Sequence, residues 1–366
     1  MLIEIRGQES SMLAKALSVL RFAFVSVLLF AAASQFLVSA TVAESSEDEA
    51  TSALASAEGA VVSAYQAVLG AEEAGANASG LLVRLNEAGG YLAQAHMACR
   101  LGDFDEATRS ANLSRSIGEE VQNDAVALKD SALSDSLQRM VLTMIASVLG
   151  VVLIALGSLW VWLLLKKRYR QYRSWFIFGS LALMVAAAYP ISASYVHPPG
   201  GSERFSELWL LGPGHKAEDY PFNIRVNEMC SVYVGVGNHL GSPAYYRIFV
   251  KFRNQTEPLP VASNATPSPL PELYEFDFFV RDSEVWETLL NFRIVDVIGY
   301  DNYMIVNRLL VNEMVFQLSP PSLAMWNRER SGFYYQLFFE LWLYNMTSQS
   351  FGFHNRFVGI WLNATG

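Results

Sequence analysis

VLTMIASVLGVVLIALGSLWVWLLL, residues 141–165, decides how this chain is organised. It runs 25 residues without a charge, roughly 37 Å of helix against a hydrocarbon core of about 30 Å. KKRYRQYR follows, with Lys166, Lys167, Arg168, Arg170 and Arg173, and then a second uncharged run, 175–196. Two apolar runs joined by five cations read as a transmembrane hairpin whose basic loop stays in the cytoplasm. Both flanks of the hairpin then face outward.

Working toward the N-terminus, a third apolar run, 22–38, follows Arg6, Lys15 and Arg21 and ends in VSATVAESSEDE. It reads either as a signal peptide, with a small-residue cleavage motif at Val38-Ser39-Ala40 or Thr41-Val42-Ala43, or as an uncleaved anchor. Both alternatives export Glu44 onward. Between 44 and 138 there is no proline, and Ala, Leu, Glu and Val dominate, which predicts helix. Val61, Tyr65 and Val68 form one apolar stripe, and Leu82, Leu85, Leu92 and Ala95 form another within a helix at about 81–101. Asp103 and Glu106 make a capping box for a third helix, which runs through Ala107, Ala111, Ile117, Val121 and Val126 toward the membrane. YLAQAHMACRLGDFDEATRSA resembles one tetratricopeptide-type turn. A solenoid needs about three or more, so a helical hairpin or three-helix bundle is expected.

Working toward the C-terminus, the composition changes to aromatic and β-branched residues punctuated by Gly, Pro and Asn. In SVYVGVGNHLGSPAYYRIFVKF, Val232, Val234 and Val236 alternate, as do Ile248, Val250 and Phe252, with Arg247 and Lys251 on the opposite face. That pattern predicts a β-hairpin turning at 238–243, one face buried and one solvated. A Pro-rich polar loop follows, then strands near 274–280, 292–297, 304–310 and 314–318. A last hairpin carries Leu337, Phe339, Leu341 and Leu343 opposite Val358, Ile360 and Leu362. Seven or more short strands at this spacing predict an all-β, Ig-like sandwich.

Three blocks in this region carry a resemblance: Leu211-Gly212-Pro213, Glu218-Asp219-Tyr220-Pro221 and Asn238-His239-Leu240-Gly241. In this order they resemble a family of archaeal membrane proteins, the domain-of-unknown-function family numbered 1616, over about 209–363. The resemblance implies an extracytoplasmic β domain tethered by membrane helices in an archaeal envelope, and no activity.

The expected architecture is therefore a mixed membrane protein. Residues 1–43 form the signal peptide or first span with its flanks, and 44–138 an extracytoplasmic helical domain. Residues 139–165 form a membrane helix, 166–173 the cytoplasmic loop, 174–196 a second membrane helix, and 197–366 the extracytoplasmic sandwich. Asn-x-Ser/Thr sequons at Asn77, Asn112, Asn254, Asn264, Asn345 and Asn363 all fall on the outward side, which makes them glycosylation candidates.

Chemistry is sparse. His96, His197, His215, His239 and His354 form no local ligand spacing, and no Gly-x-Ser-x-Gly elbow is present. Gly235, Gly237 and Gly241 only superficially resemble a dinucleotide fingerprint; they read as turn glycines. No metal, cofactor or catalytic residue is expected. Cys99 and Cys230 are either a bridge between the two outer regions or two buried thiols. The loop holding His215, Asp219 and Tyr220 is a candidate recognition surface. A net charge of −9 argues against nucleic acid. The reading that follows is a multi-pass envelope protein, not an enzyme, that touches the lipid bilayer and presents a binding module for an envelope protein or glycan. The alternative is an accessory subunit of a secretion or glycosylation complex. Self-association into a homo-oligomer is compatible with both.

Overall fold

The computed structural model describes residues 46–165, 177–183, 185 and 203–365. The apolar run 22–38, the basic loop with Lys166, Lys167, Arg168, Arg170 and Arg173, and His197 lie outside the described residues.

Three helices come first: α1 (46–73), α2 (Ser79–Leu101) and α3 (Phe104–Leu165). Gly75 and Gly102, at φ 84° and 78°, occupy the left-handed region that lets each preceding helix stop. The Asp103 carboxylate accepts the Glu106 amide at 3.1 Å, as the capping box requires. The predicted stripes bury Val61, Tyr65 and Val68 of α1 and Leu82, Leu85, Leu92 and Ala95 of α2 against Ala111, Val121 and Ala125 of α3. α3 then continues without interruption for 62 residues. From Val141 its apolar side chains stand exposed, and its most apolar 18-residue window has a mean hydropathy of 2.6. It is the one helix among the described residues long and apolar enough to cross a membrane. Ser158 hydrogen-bonds Ser180 at 3.0 Å, so the helical stretch 177–183 lies beside it.

Ten strands follow: β1 (Phe205–Leu211), β2 (Asn223–Arg225), β3 (Cys230–His239), β4 (Ala244–Asn254), β5 (Tyr274–Val280), β6 (Val285–Gly299), β7 (Tyr303–Val311), β8 (Met314–Met325), β9 (Phe333–Asn345) and β10 (Ser350–Thr365). They form two five-stranded sheets, ordered β1-β3-β6-β7-β8 and β2-β10-β9-β4-β5. Neighbouring strands are antiparallel except β2 and β10. The inward residues of both sheets share one core. Val232, Val234 and Val236 meet Ile248, Val250, Leu337, Phe339, Leu341 and Leu362 there, as the alternation predicts.

Two expectations fail here. β3 and β4 are not a hairpin: β3 pairs with β1 and β6, whereas β4 pairs with β5 and β9. The intervening turn is a corner between the sheets. Asn238 holds that corner, donating to the carbonyls of Ser242 and Val280 at 2.8 Å and accepting from the Leu240 amide at 3.0 Å. Only Gly241, at φ 85°, needs the left-handed region. Gly235 instead makes room for the Trp209 indole, which a Cβ would meet at 2.4 Å. The second failure is the solvated face of β4. Lys251 is 4% exposed, and the Arg247 side chain is nearly as deep. A second layer covers that face.

Candidate functional site

The covering layer is made of two parts. The Pro-rich segment between β4 and β5 lies over Lys251 and Glu340, which pair at 3.0 Å. Lys251 also donates to the Ser268 carbonyl at 2.8 Å, and Glu340 accepts the Ser268 amide at 2.8 Å. Every polar atom of this buried pair thus has a partner, the condition under which such a pair persists.

The other part is the helical bundle itself. α2 lies on the edge strand β5. A Cβ on Gly89 would come within 2.7 Å of the Asp277 carbonyl oxygen, so this helix can approach the strand only because residue 89 has no side chain. The Asn86 amide completes the strand edge, donating to the Phe279 carbonyl at 2.9 Å and accepting its N–H at 2.7 Å. An exposed edge would otherwise present unpaired backbone groups. Tyr65 packs among Tyr245, Phe279 and Tyr344 and donates to the Pro243 carbonyl at 2.9 Å. The helical region and the two-sheet region are therefore joined by one apolar cluster.

A charged seam is sealed inside this contact. Arg247 and Asp277 are cross-strand neighbours and form a two-pronged pair at 2.6 and 2.7 Å. Burial opposes the Arg247 charge, but the Asp277 carboxylate outweighs it and holds the guanidinium pKa above its ordinary value. Arg100 of α2 donates to Glu275 Oε2 and lies 3.5 Å from Glu272. His96 stands between two carboxylates: Nε2 is 3.0 Å from Glu58 Oε1 of α1, and Nδ1 is 3.8 Å from Glu275 Oε1. Burial, with Asp277 beside it, raises the Glu275 pKa despite the nearby arginines. Its side chain is fully buried, and Oε1 has no hydrogen-bond partner. The His96 interaction lowers the Glu58 pKa against a smaller opposing effect of burial. His96, Glu275 and Asp277 offer ligand atoms all within 4.8 Å of one another.

Two openings reach the seam. One is a cavity of about 250 Å³ bordered by Asn86, Gln94, Met97, Glu275, Asp277 and Trp286. The other is a cleft of about 540 Å³ between α1 and the second sheet. Its lining includes Glu58, Gln66, Tyr245, Arg247, Tyr344 and Phe351. Aromatic faces, a guanidinium, a carboxylate and an amide in one cleft suit a polar ligand with some apolar surface.

The residues singled out by sequence fall elsewhere. His215 folds over the outer face of the first sheet, its ring 4.4 Å from that of Tyr233, and pairs with Glu287. Tyr220 turns inward and donates to the Leu210 carbonyl at 2.8 Å, and Asp219 stays exposed at φ 55°. His215 and Asp219 are thus exposed, and the Tyr220 hydroxyl is tied to the backbone of β1. Cys230 lies in the core between the sheets, where burial and Glu228 raise its thiol pKa to about 11. Cys99 packs against a separate cluster with Ala50, Ala98 and Ala107. Both are free thiols, so no bridge joins the two regions. Asn77, Asn112, Asn264 and Asn345 are exposed, whereas Asn254 and Asn363 are buried. The Asn254 oxygen accepts from Thr256 and Glu257, and Asn363 donates to Asn223 at 2.9 Å. Among the aromatics, Tyr245, Tyr246 and Tyr334 are core, and Trp326 and Trp361 are exposed.

Residues 199–313, a span that includes β1 to β7, match the family model described as Domain of unknown function (DUF1616). Arg247, Glu275 and Asp277 fall within the match, and Glu58, His96 and Arg100 fall outside it. No curated protein matches the chain. Among solved structures, a beta-glucosidase from Listeria innocua aligns at 10% identity with a TM-score of 0.23, over 46% of this chain and 17% of that one. The same enzyme in complex with gluconolactone aligns at 12% identity and 0.22, over 46% and 18%. The chain thus spans less than a fifth of those structures, and likenesses this slight carry no argument.

Proposed function

We propose that this chain is a multi-pass membrane protein presenting a binding module outside the cell, in which the helical bundle and an Ig-like sandwich act as one unit. One observation carries the reading: residues before and after the membrane segment touch each other. Asn86 bonds the backbone of Phe279, and Tyr65 bonds that of Pro243, although the apolar stretch 141–165 lies between them in sequence. Two regions in such contact lie on one side of a bilayer, so the intervening chain crosses it an even number of times. The contact of α3 with the stretch 177–183 supports a two-helix hairpin. The five cations at 166–173 favour a cytoplasmic turn for that hairpin and an outward-facing module. The 540 Å³ cleft, which opens beside the seam, is the recognition element, and its mix of rings and polar groups favours a glycan or a polar segment of an envelope protein.

Lys216 is exposed and Lys251 is buried, so a membrane-impermeant amine reagent applied to intact cells should label the first and spare the second. Labelling of Lys216 only after the cells are opened overturns the orientation. A photo-reactive residue in place of Gln349 at the cleft rim should then trap a discrete envelope adduct in native membranes. Adducts with lipid alone would sink the binding role.

A further inference from the structure

We propose that His96, Glu275 and Asp277 form a binding site for one divalent transition-metal ion of the zinc class. The donors come from two elements far apart in sequence, α2 and β5, and meet only because the helices dock on the sheet. A nitrogen and carboxylate oxygens are a donor set that suits zinc.

Four observations support the site. The first is the gap between His96 Nδ1 and Glu275 Oε1. At 3.8 Å it is too long for a hydrogen bond and close to the roughly 3.4 Å that separates two ligands of a tetrahedral zinc. The second is the Glu275 Oε1 atom itself, which is buried without a hydrogen-bond partner, a costly condition that calls for an occupant. The third is the far side of the imidazole. Glu58 Oε1 lies 3.0 Å from Nε2, off the ideal line of a hydrogen bond, where a small swing of the ring completes a carboxylate–histidine–metal relay. The fourth is charge. Glu58, Glu272, Glu275 and Asp277 face Arg100 and Arg247, an excess of two negative charges that one dication cancels.

Arg247 and Arg100 do not close the site. Each engages carboxylate oxygens that keep a second lone pair, and Glu275 Oε1 is not among them. The 250 Å³ cavity bordered by Glu275 and Asp277 supplies the entry path and leaves room for a fourth, exchangeable ligand. This site stands independently of which way the module faces.

The test uses the full chain in detergent, stripped with a chelator and titrated with zinc chloride in a calorimeter and in a thermal-unfolding assay. One zinc per chain and a raised Tm are expected. His96→Gln and Glu275→Gln should abolish both. Glu58→Gln, which removes the carboxylate behind the His96 ring, should weaken affinity about 10–100-fold without abolishing it. His215→Asn, which removes the exposed His215–Glu287 pair, should change nothing. Zinc binding that survives Glu275→Gln and Glu58→Gln would mean an adventitious surface ion and overturn the proposal. So would an absence of zinc binding by a folded wild-type chain whose stability changes with pH alone, since a proton would then be the occupant of Glu275 Oε1.

Discussion

The two sheets share a core but differ on their outer faces. On the first sheet, Glu207, Trp209, Tyr233 and Glu287 face outward and stay at least partly exposed, with the His215 side chain against Tyr233 and Glu287. On the second sheet the equivalent positions, Arg247, Lys251, Glu275, Asp277 and Glu340, lie beneath the helices and the Pro-rich segment. Both faces alternate polar with apolar residues along their strands. Alternation therefore reports which residues share a face, and it is silent about whether water or protein lies over that face. The charges mark the difference. On the open face they pair loosely with one another. On the covered face Arg247 pairs closely with Asp277 and Lys251 with Glu340, because a buried charge without a partner is costly.

The largest effect expected from breaking this contrast is at Glu340. Glu340→Ala leaves the Lys251 ammonium buried with only the Ser268 carbonyl, and should lower stability by about 3–5 kcal/mol in chemical denaturation. Gly89→Val forces a side chain against the Asp277 carbonyl and should lift α2 off β5. About 1–3 kcal/mol is expected from overpacking, together with loss of a single cooperative transition. A Gly89→Val protein that melts in one unshifted step would show that the two regions do not depend on each other.

A smaller effect concerns pH. His354 bonds Ser206 at 3.0 Å, and burial, helped by Arg356, holds its pKa below 6.5. The folded state then binds this proton less readily than the unfolded chain. Its contribution is full above pH 6.5 and is lost as pH falls through the lower folded value. His354→Asn should flatten the fall in Tm below pH 6.5. The smallest effect is at Glu287 on the open face. Glu287→Gln removes the exposed His215 pair and should shift stability by no more than about 0.5 kcal/mol. A shift as large as that at Glu340 would mean that a layer covers the first sheet too.

Much of the fold is legible in the residues. The stripes of α1 and α2, the Asp103 cap, the uncharged run of α3 and the alternating valines of β3 each depend on local periodicity, and each lies where that periodicity puts it. The seam is not legible in this way. His96 and Glu275 are 179 positions apart, so no spacing rule can pair them. Two local signs hint at the docking. The Gly89-Gly90 pair interrupts an otherwise good helix, and glycines inside a helix often mark a close backbone approach. Tyr274-Glu275-Phe276-Asp277-Phe278 places two acids opposite three aromatic residues, which reads equally well as a solvated face. Among the sequons, the short motif cannot tell the exposed Asn264 from the buried Asn254, because burial depends on what folds over it.

By itself, then, the sequence determined element types, core faces and the apolar segment, since these follow from periods of 3.6 and 2.0 residues and from hydropathy over neighbouring positions. Tertiary structure alone decided that β3 and β4 part at Asn238 to join different sheets. It decided too that α2 seals the outer face of β5, and that His96 meets Glu275 and Asp277. Those outcomes depend on contacts between surfaces remote in the chain, where shape and charge are matched across space and leave no period in the sequence.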